Sequence, residues 1–450
     1  MELPLEKKHV GTVDFSTPTE DEKNPALALE NALAAALAGP NHLAPVPTAT
    51  KIRTITKRGV MWLGQTCNLR CYFCYFLDRI ETKEHPEHAF MDLEKAKHIC
   101  TTLSKVYGNN AIDIQGGEPT IWKPIHELIK HCRSLGMFPT LITNALVLDN
   151  IDTCRAFQAS GIGDFLISVH GLGEVHDRVV VREGAHARQM KAIRNLRELG
   201  IPFRLNCVLS KPVVNQLPQI AEFTVKVGAP VINFLTFNPF EDQAKGGKRS
   251  AENVPTYSEL AVKLKDALDI LDRNRIEANV RYLPFCMLEE RHWKSNYNFQ
   301  QLPYDHNEWD YASWAWTGMQ PQRMRDGPTT EPVPMVGQKF LFPIRKKLIA
   351  LAIGTTVGKV LARFYRTVGR MVDSLRNKDD LYREIAKVHA HTHSGYVHVE
   401  ACEKCDLRGI CDGLHGDYAR IFGGKEVKAI SVGHAVEDSK RYIADQSKYE

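Results

Sequence analysis

The sequence contains no apolar run long enough to cross a bilayer. Runs such as "LIALAI" at 348–353 are far shorter than the roughly 20 apolar residues that a transmembrane helix needs. The first residues, "MELPLEKKHVG", also lack the basic start and apolar stretch of a signal peptide. We therefore expect a cytoplasmic protein.

The chain also carries little net charge. Its 58 basic and 53 acidic residues among 450 leave a formal charge of +5, which is too small to indicate nucleic-acid binding. An apolar content of 43% is typical of a globular protein. Eleven cysteines without an export signal indicate a reducing compartment, and hence metal or redox chemistry rather than disulfides.

Six apolar runs follow one another from about residue 58, each bounded by Gly or Pro and separated by helical patterns. These runs are "GVMWLG" (59–64), "AIDIQGG" (111–117), "FPTLITNA" (138–145), "DFLISVHG" (164–171), "FRLNCVLS" (203–210) and "VINFLTFN" (231–238). Repeated strand–helix units predict a parallel sheet with right-handed crossovers, wound as a doubly wound sheet or as a full or partial barrel. In all these folds the catalytic groups lie at the carboxyl ends of the strands.

A cysteine triplet comes directly after the first predicted strand. "TCNLRCYFC" holds Cys67, Cys71 and Cys74 in the pattern C-x3-C-x2-C. Thiolates favour zinc, copper(I) or iron–sulfur clusters. A structural zinc site would need a fourth ligand, which His85 or His88 could supply. The alternative is a [4Fe–4S] cluster held by three cysteines, whose fourth iron is open to bind another molecule.

This triplet resembles the motif of the radical S-adenosylmethionine (radical SAM) superfamily. The second strand ends in "QGGEP", where Gly116, Gly117, Glu118 and Pro119 are similar to the GGEP motif of that family. The resemblance covers roughly residues 57–240. It implies a [4Fe–4S] cluster on the three cysteines, with S-adenosylmethionine (SAM) chelated by the open iron. It also implies an α/β fold: a partial (β/α)6 TIM-like barrel with a smaller C-terminal cysteine-containing domain.

The resemblance further implies which strand-end residues contact SAM or substrate. Besides the GGEP residues, these are Phe73, Asn144 after the third strand, Ser168 and His170 after the fourth, and Asn206 in the fifth. Each of these side chains is also compatible with an ordinary hydrogen-bonding role at a strand end.

A second group of cysteines lies near the C-terminus. Cys402, Cys405 and Cys411 in "ACEKCDLRGICDGLH" have the spacing C-x2-C-x5-C, which resembles the start of the SPASM motif that carries auxiliary iron–sulfur clusters. His415 stands where the last cysteine of that motif would fall. With Cys286 as the fourth ligand, we predict one auxiliary [4Fe–4S] cluster, as in a shortened, twitch-like domain. A zinc site formed by the three C-terminal cysteines and His415 is the alternative.

These features divide the chain into five predicted regions. They are a flexible leader with a short helix (1–50), the radical SAM barrel (51–245), an extension with an aromatic-rich loop (246–343), a basic amphipathic helical region (344–385) and a SPASM- or twitch-like domain (386–450). The aromatic stretch 296–316 either lines a pocket or packs as a loop on the barrel. The apolar residues at helical spacing between 357 and 375 predict a face that docks on the core; weak contact with a membrane surface is the alternative.

The resemblance implies an enzyme that cleaves SAM reductively to a 5′-deoxyadenosyl radical, which abstracts hydrogen from a substrate carbon. The SPASM likeness favours a peptide or protein substrate, and a small sugar, cofactor precursor or lipid is the alternative. The other expected partner is an external one-electron donor of the flavodoxin or ferredoxin type. A non-catalytic iron–sulfur electron-transfer or scaffold protein is the competing hypothesis, and the GGEP residues argue against it because electron carriage needs no SAM site.

Overall fold

A computed structural model of the chain shows an open parallel sheet covered by helices. The structure describes residues 13, 15–38, 51–52, 58–74, 89–105, 109–236, 249–301, 355–358, 360, 364, 368, 371, 375 and 395–448. His85, His88 and the part of the aromatic stretch beyond residue 301 lie outside these described residues.

Eight strands form one sheet in which each strand is parallel to the next. A separate ribbon pairs β1 (Lys51–Ile52) antiparallel with β10 (Ser447–Lys448). The strands of the main sheet, in chain order and in sheet order, are β2 (Arg58–Trp62), β3 (Ala111–Gln115), β4 (Phe138–Thr143), β5 (Asp164–Ser168), β6 (Phe203–Val208), β7 (Val231–Leu235), β8 (Glu277–Arg281) and β9 (Asn296–Tyr297). Since β2 and β9 are the edges of this sheet in the described residues, the architecture is a half-barrel, and the prediction of a partial α/β barrel is confirmed.

Helices connect the strands and end where the sequence supplies caps. They are α1 (Glu20–Lys23), α2 (Pro25–Leu37), α3 (Leu93–Lys105), α4 (Ile125–Ser134), α5 (Ile151–Ser160), α6 (Glu174–Val180), α7 (Ala185–Glu198), α8 (Leu217–Val227), α9 (Tyr257–Arg273) and α10 (Gly416–Phe422). Helix α9 begins with a capping box, in which Thr256 and Glu259 exchange side-chain and backbone hydrogen bonds. Helix α5 ends at Gly161, whose φ of 85° is left-handed and favours glycine.

The helix-facing side of the sheet is apolar. A Cβ at Gly59 of β2 would lie 2.7 Å from the Leu103 side chain of α3, so this face of the strand packs directly on the helix. Ile112 and Ile114 of β3 point to the same side and are fully buried. Burying each such side chain stabilises the fold by about 1.5–3 kcal/mol.

The opposite, concave face of the sheet carries charged and amide side chains among apolar ones such as Val60. Arg58 of β2 donates to the carboxylate of Asp113 on β3, and Arg204 of β6 donates to Asp164 on β5. The two-residue period of a strand places these side chains opposite the apolar ones. The interior of the half-barrel therefore contains ion pairs and amides, and these groups can form hydrogen bonds with a polar ligand.

The sheet is longer than the six predicted strands. Strands β8 and β9 continue it beyond the predicted barrel boundary at residue 245. The apolar stretch "ANVRYLPFCML" (278–288) predicts a further strand that carries Cys286. The strand ends at Arg281, so this prediction is wrong. Cys286 lies in a 3-10 helix, Phe285–Met287, because Pro284 has no backbone N–H with which to continue the strand pairing.

The C-terminal residues 395–448 pack against the barrel. The ring of Tyr418 in α10 stacks on Tyr257 of α9 with centroids 3.7 Å apart, and the Tyr257 backbone N–H donates to the Tyr418 hydroxyl at 2.8 Å. Near the end of the chain, Gln446 accepts a 2.9 Å bond from the Tyr297 hydroxyl at β9. These contacts fix the second cysteine region relative to the carboxyl edge of the sheet.

The apolar residues of the basic region are exposed. Val357, Val360, Phe364, Val368, Met371 and Leu375, which we call the amphipathic stripe, are between 40% and 88% exposed. The interpretation that this face docks on the core is therefore wrong for these residues. The apolar side of the sheet is already covered by its own helices. No helix in the described part of the chain has the length and apolar character needed to cross a membrane.

Candidate functional site

The first cysteine triplet lies in the loop that leaves the carboxyl end of β2. Cys67, Cys71 and Cys74 form no disulfide and are half-buried. The backbone N–H of Leu69 donates to the Cys67 sulfur at 3.4 Å, and the N–H of Cys74 donates to the Cys71 carbonyl at 2.9 Å. The loop is thus wound so that its cysteines come close together at the edge where catalysis occurs in this fold.

The electrostatics of the triplet favour a bound cation. Burial, followed by the nearby charges of Glu118 and Cys74, raises the pKa of Cys67 to about 12. Burial, followed by the charges of Cys74 and Cys67, raises the pKa of Cys71. Three thiolates are therefore unfavourable here unless positive charge accompanies them, as iron or zinc would supply.

Two neighbouring segments hold the cysteine loop in place. Arg70 and Tyr72 donate their backbone N–H groups to the carbonyls of Val180 and Val179 at the end of α6, each at 3.3 Å. The Arg182 guanidinium donates to the Asn68 carbonyl at 2.8 Å. No periodic pattern indicates Arg182, because this residue lies between two helices, far from the loop in the chain.

The two glycines of the GGEP segment bring β3 close to the start of the cysteine loop. A Cβ at Gly116, where φ is 145°, would lie 2.7 Å from the Gly64 carbonyl oxygen, and one at Gly117 would overlap the Thr66 carbonyl. The Gly117 N–H donates to Gly64 and the Glu118 N–H to Thr66. In this structure the glycines therefore allow close packing of two backbones at the site.

Glu118 is buried and binds its neighbours. Its carboxylate accepts from the Thr143 hydroxyl at 2.6 Å, from the Asn144 N–H at 2.8 Å and from the N–H of Thr120 at 3.1 Å. Burial raises the pKa of Glu118, and these hydrogen bonds act in the opposite direction. Pro119, which follows, is buried and begins the 3-10 helix Pro119–Ile121. The carboxylate thus ties the ends of β3 and β4 together.

Asn144 connects this network to the cysteine loop. Its amide donates to the Asn68 side chain at 2.7 Å, and its side-chain oxygen accepts from the Leu146 N–H at 3.1 Å. Asn68 lies next to Cys67, so the end of β4 contacts the triplet through one amide pair. The structure brings Asn144 to the site that the sequence predicted.

A row of polar residues crosses the concave face near the same edge. Ser168 pairs in register with Asn206, Asn206 with Asn233, and Asn233 with Asn279. The amide of Asn279 donates to Asn233 at 3.0 Å. The sequence reasoning missed Asn233 and Asn279. Their signal was available as polar residues alternating with apolar ones in buried strands.

Phe73 and His170 meet beside the cysteine loop. Their ring centroids are 4.8 Å apart in an edge-on contact, and the His170 ring accepts a 3.1 Å hydrogen bond from the Val208 N–H. Burial lowers the pKa of His170 to about 3, so the imidazole is neutral at physiological pH. The pair forms a rigid, uncharged wall next to Cys74.

The N-terminal segment also reaches the cysteine loop, which the sequence did not indicate. The Phe15 ring lies 4.7 Å from the ring of Tyr72, centroid to centroid, and the Arg178 guanidinium lies 4.9 Å from the Phe15 ring. Arg178 also bonds the Glu22 carboxylate at 2.9 Å. The segment before α2 therefore packs on both the cysteine loop and α6.

The structure brings the four cysteines of the second group around one cavity. Cys286, Cys402, Cys405 and Cys411 line it, although the first of these is more than 100 residues away in sequence. Burial raises the pKa of Cys286, and the charges of Cys402 and Cys405 add to it. Burial also raises the pKa of Cys411, with a smaller contribution from the charge of Cys286.

His415 does not line this cavity. Its ring accepts from the Asp417 N–H at 3.1 Å and caps α10, and its centroid lies 5.3 Å from Tyr396. The histidine at the cavity is His398, whose Nε2 lies 2.9 Å from the Cys411 carbonyl oxygen. The geometry therefore gives the zinc alternative no support from His415.

Comparison with known proteins agrees with this arrangement. Residues 63–223 match the family described as "Radical SAM superfamily". The "PqqA peptide cyclase" of Rhodopseudomonas palustris is 29% identical over 168 residues, which is 37% of this chain and 43% of that protein. The "Fe-coproporphyrin III synthase" of Methanosarcina barkeri is 27% identical over 176 residues, 39% of this chain and 43% of that protein. The alignments thus span less than half the length of these relatives.

Among solved structures, Streptococcus suis SuiB bound to S-adenosylmethionine is 20% identical, with a TM-score of 0.42 over 50% of each chain. The fold and site define a parallel α/β half-barrel with a cysteine triplet at the carboxyl edge of its sheet. The family match then identifies residues 63–223 as a radical SAM domain, which confirms the resemblance found in the sequence.

Proposed function

We propose that the chain is a radical SAM enzyme that modifies a peptide or protein. The observation that carries this proposal is the loop of Cys67, Cys71 and Cys74 at the carboxyl edge of the sheet, inside a radical SAM domain. A reducing, cytoplasmic compartment fits the eleven cysteines of the chain, none of which forms a disulfide.

Cys67, Cys71 and Cys74 would hold a [4Fe–4S] cluster. Four sulfurs around one zinc ion lie about 3.8 Å apart, given a tetrahedral site with Zn–S bonds of about 2.3 Å. Each cysteine of a cluster binds a different iron and therefore lies farther from its neighbours. The C-x3-C-x2-C spacing of the triplet, inside residues that match the radical SAM family, supports the cluster.

A cluster on these cysteines would supply the electron that splits bound SAM into methionine and the 5′-deoxyadenosyl radical. The residues of the chain position the reactants. Glu118 and Asn144 fix the cysteine loop through the contacts to Thr143 and Asn68. Gly116, Gly117 and Pro119 shape the neighbouring backbone. Ser168 and Asn206 offer polar groups to the ribose, while Phe73 closes the site against water.

Cys286, Cys402, Cys405 and Cys411 would hold an auxiliary [4Fe–4S] cluster. Their convergence on one cavity supports this proposal. Ligation by four cysteines leaves no iron open, which suits electron transfer or structural support rather than substrate binding. An external donor of the flavodoxin or ferredoxin type would supply the electron for SAM cleavage.

A peptide substrate is favoured by the similarity to the PqqA peptide cyclase. The Fe-coproporphyrin III synthase keeps a small cofactor precursor as the alternative substrate class. In either case the polar row from Ser168 to Asn279 on the concave face supplies amides that bind peptide groups or other polar substrates.

The amphipathic stripe is proposed to contact an anionic membrane surface weakly. Residues 344–375 contain seven Lys and Arg residues and one acidic residue, Asp373. Exposed Phe364 and Leu375, at 70% and 88%, are the apolar groups that enter a lipid interface, and the basic residues are those that anionic lipids attract. Charge complementarity thus favours lipid over a second copy of the chain.

The proposal is tested by the formation of 5′-deoxyadenosine. The protein is reconstituted anaerobically with iron and sulfide, reduced chemically and incubated with SAM. We expect 5′-deoxyadenosine from the wild type, and we expect a loss of at least a hundredfold in the Cys71→Ala variant. Wild-type protein with four irons at the first site and no product would instead support the scaffold hypothesis.

A further inference from the structure

The cavity of the second cysteine group is bordered by a backbone segment, residues 428–433, that follows the cysteines in sequence. The Ile430 N–H donates to the Cys405 sulfur at 3.4 Å. A backbone hydrogen bond from Lys428 reaches the Cys286 thiol and lowers its pKa against the larger effect of burial. One short segment thus contacts sulfurs from two distant parts of the chain.

Asp406 holds this segment in place. Its carboxylate accepts from the Val432 N–H at 2.7 Å, from the Gly433 N–H at 3.0 Å and from the Ser431 hydroxyl at 3.2 Å. Its own N–H donates to the Ile430 carbonyl at 2.8 Å. Because Asp406 directly follows Cys405, these bonds fix the segment relative to the sulfurs. Ile430 and Val432 also pack against the hydrophobic core, and the Asp406 carboxylate adds the hydrogen bonds that hold the exposed Gly433.

N–H groups directed at cluster sulfurs stabilise the reduced, more negative state and so raise the reduction potential. We propose that Asp406 is a positioning residue that sets the potential of the auxiliary cluster by holding residues 428–433 against Cys405 and Cys286. The inference rests on the proposed auxiliary cluster and concerns the residue that sets its reduction potential.

The charge of Asp406 must be separated from its hydrogen bonds. Removing a negative charge near the cluster raises the potential, whereas losing the N–H···S bonds lowers it. Asp406→Asn removes the charge and keeps a side-chain oxygen that accepts from Val432 and Gly433. Asp406→Ala removes both. The two variants have the same charge, so a difference between their potentials does not come from the lost carboxylate charge.

The experiment uses the full chain with Cys67, Cys71 and Cys74 changed to Ala, so that only the second site binds iron. The midpoint potential is measured by redox titration monitored by electron paramagnetic resonance. We expect the Asp406→Ala variant to have a lower potential than Asp406→Asn. The control pair, Asp438→Ala and Asp438→Asn, changes an exposed aspartate whose carboxylate accepts from the nearby Lys440 N–H at 2.9 Å, and its two members should agree.

Equal potentials in the two Asp406 variants, each with its cluster bound, would overturn the inference and leave the auxiliary cluster standing. A parent protein that binds no iron would overturn the auxiliary cluster itself. Should Asp406→Ala fail to retain iron, the parent protein, in which only Cys67, Cys71 and Cys74 are changed to Ala, is measured by electron paramagnetic resonance in H₂O and in D₂O. Exchangeable-proton couplings to the reduced cluster are expected, and their absence would refute the N–H···S bonds.

Discussion

Glu118 shows how a motif residue can act through its neighbours. Its carboxylate is about 1% exposed and binds Thr143 and the Asn144 backbone on the adjacent strand. A buried carboxylate with this many donors holds the strand ends at a fixed spacing. The residue therefore supports the cysteine loop through Asn144, whose side chain binds Asn68.

Changing Glu118→Gln is expected to destabilise the protein by about 1–3 kcal/mol, because the new amide places N–H groups against the donors of Thr120, Thr143 or Asn144. The measurement is the free energy of unfolding of the reconstituted protein from urea titration. Iron content should fall with it, since Asn144 no longer holds Asn68 beside Cys67.

Glu127→Gln is the matched control for this substitution. Glu127 is exposed and bonds Lys97 at 2.7 Å on the surface, so its loss should change stability by no more than about 0.5 kcal/mol. Equal effects of the two substitutions would contradict the role assigned to Glu118.

At the scale of single elements, the amphipathic stripe differs from helices α3 to α9 because its apolar residues face solvent. Val360 is 65% exposed and Phe364 is 70% exposed, whereas the apolar residues of α3 to α9 mostly pack on the sheet. A face of this kind needs a partner surface to be covered. Because residues 344–375 carry an excess of basic residues, the partner surface that we propose is an anionic lipid surface.

The wild-type protein is therefore expected to sediment with vesicles that contain phosphatidylglycerol and to remain in solution with phosphatidylcholine alone. Phe364→Glu should weaken binding about tenfold or more, since one buried aromatic side chain contributes about 1.5–3 kcal/mol. Binding should also weaken with added salt.

Val262→Glu provides the control, because Val262 is 63% exposed on α9 and lies outside the stripe. Unchanged vesicle binding in the Phe364 variant would refute lipid contact through the stripe. Dimerisation of the wild type that Phe364→Glu abolishes, without vesicle binding, would show that the stripe is an interface between copies.

At the scale of the whole molecule, the two cysteine groups depend on different kinds of contact. The first lies within one loop of eight residues, 67–74, and the second joins Cys286 to a region more than 100 residues later. The second site therefore forms only when residues 395–448 pack on the barrel, for instance through Tyr257 and Tyr418.

With Cys67, Cys71 and Cys74 all changed to Ala, the reconstituted protein is expected to keep about four irons and four sulfides per chain. Adding Cys286→Ala should lower this number, because the fourth ligand is lost. The measurement is iron, sulfide and zinc per chain, with Cys207→Ala, a buried cysteine of β6, as the control. One zinc and no iron in the triple variant would make the site structural and remove the support for an auxiliary cluster.

The order of strands and helices along the chain was predictable because it depends on patterns within short segments. Strands β2 to β7 and their helices follow from apolar runs, helical periods and cap residues such as Gly161. The triplet of cysteines was readable for the same reason, since its spacing lies within one loop. Strand β9 was missed because two residues, Asn296 and Tyr297, carry no periodic signal.

By itself, then, the sequence determined the parallel strand–helix series and the three-cysteine loop at its first strand, because backbone hydrogen bonding and side-chain period act over a few residues. Only the tertiary structure decided that Glu118 binds Thr143 and that the Phe15 ring packs on Tyr72. It also decided that Cys286 lines the same cavity as Cys402. Contacts between residues far apart in the chain depend on how the packed sheet and helices bring them together, and no local pattern records that.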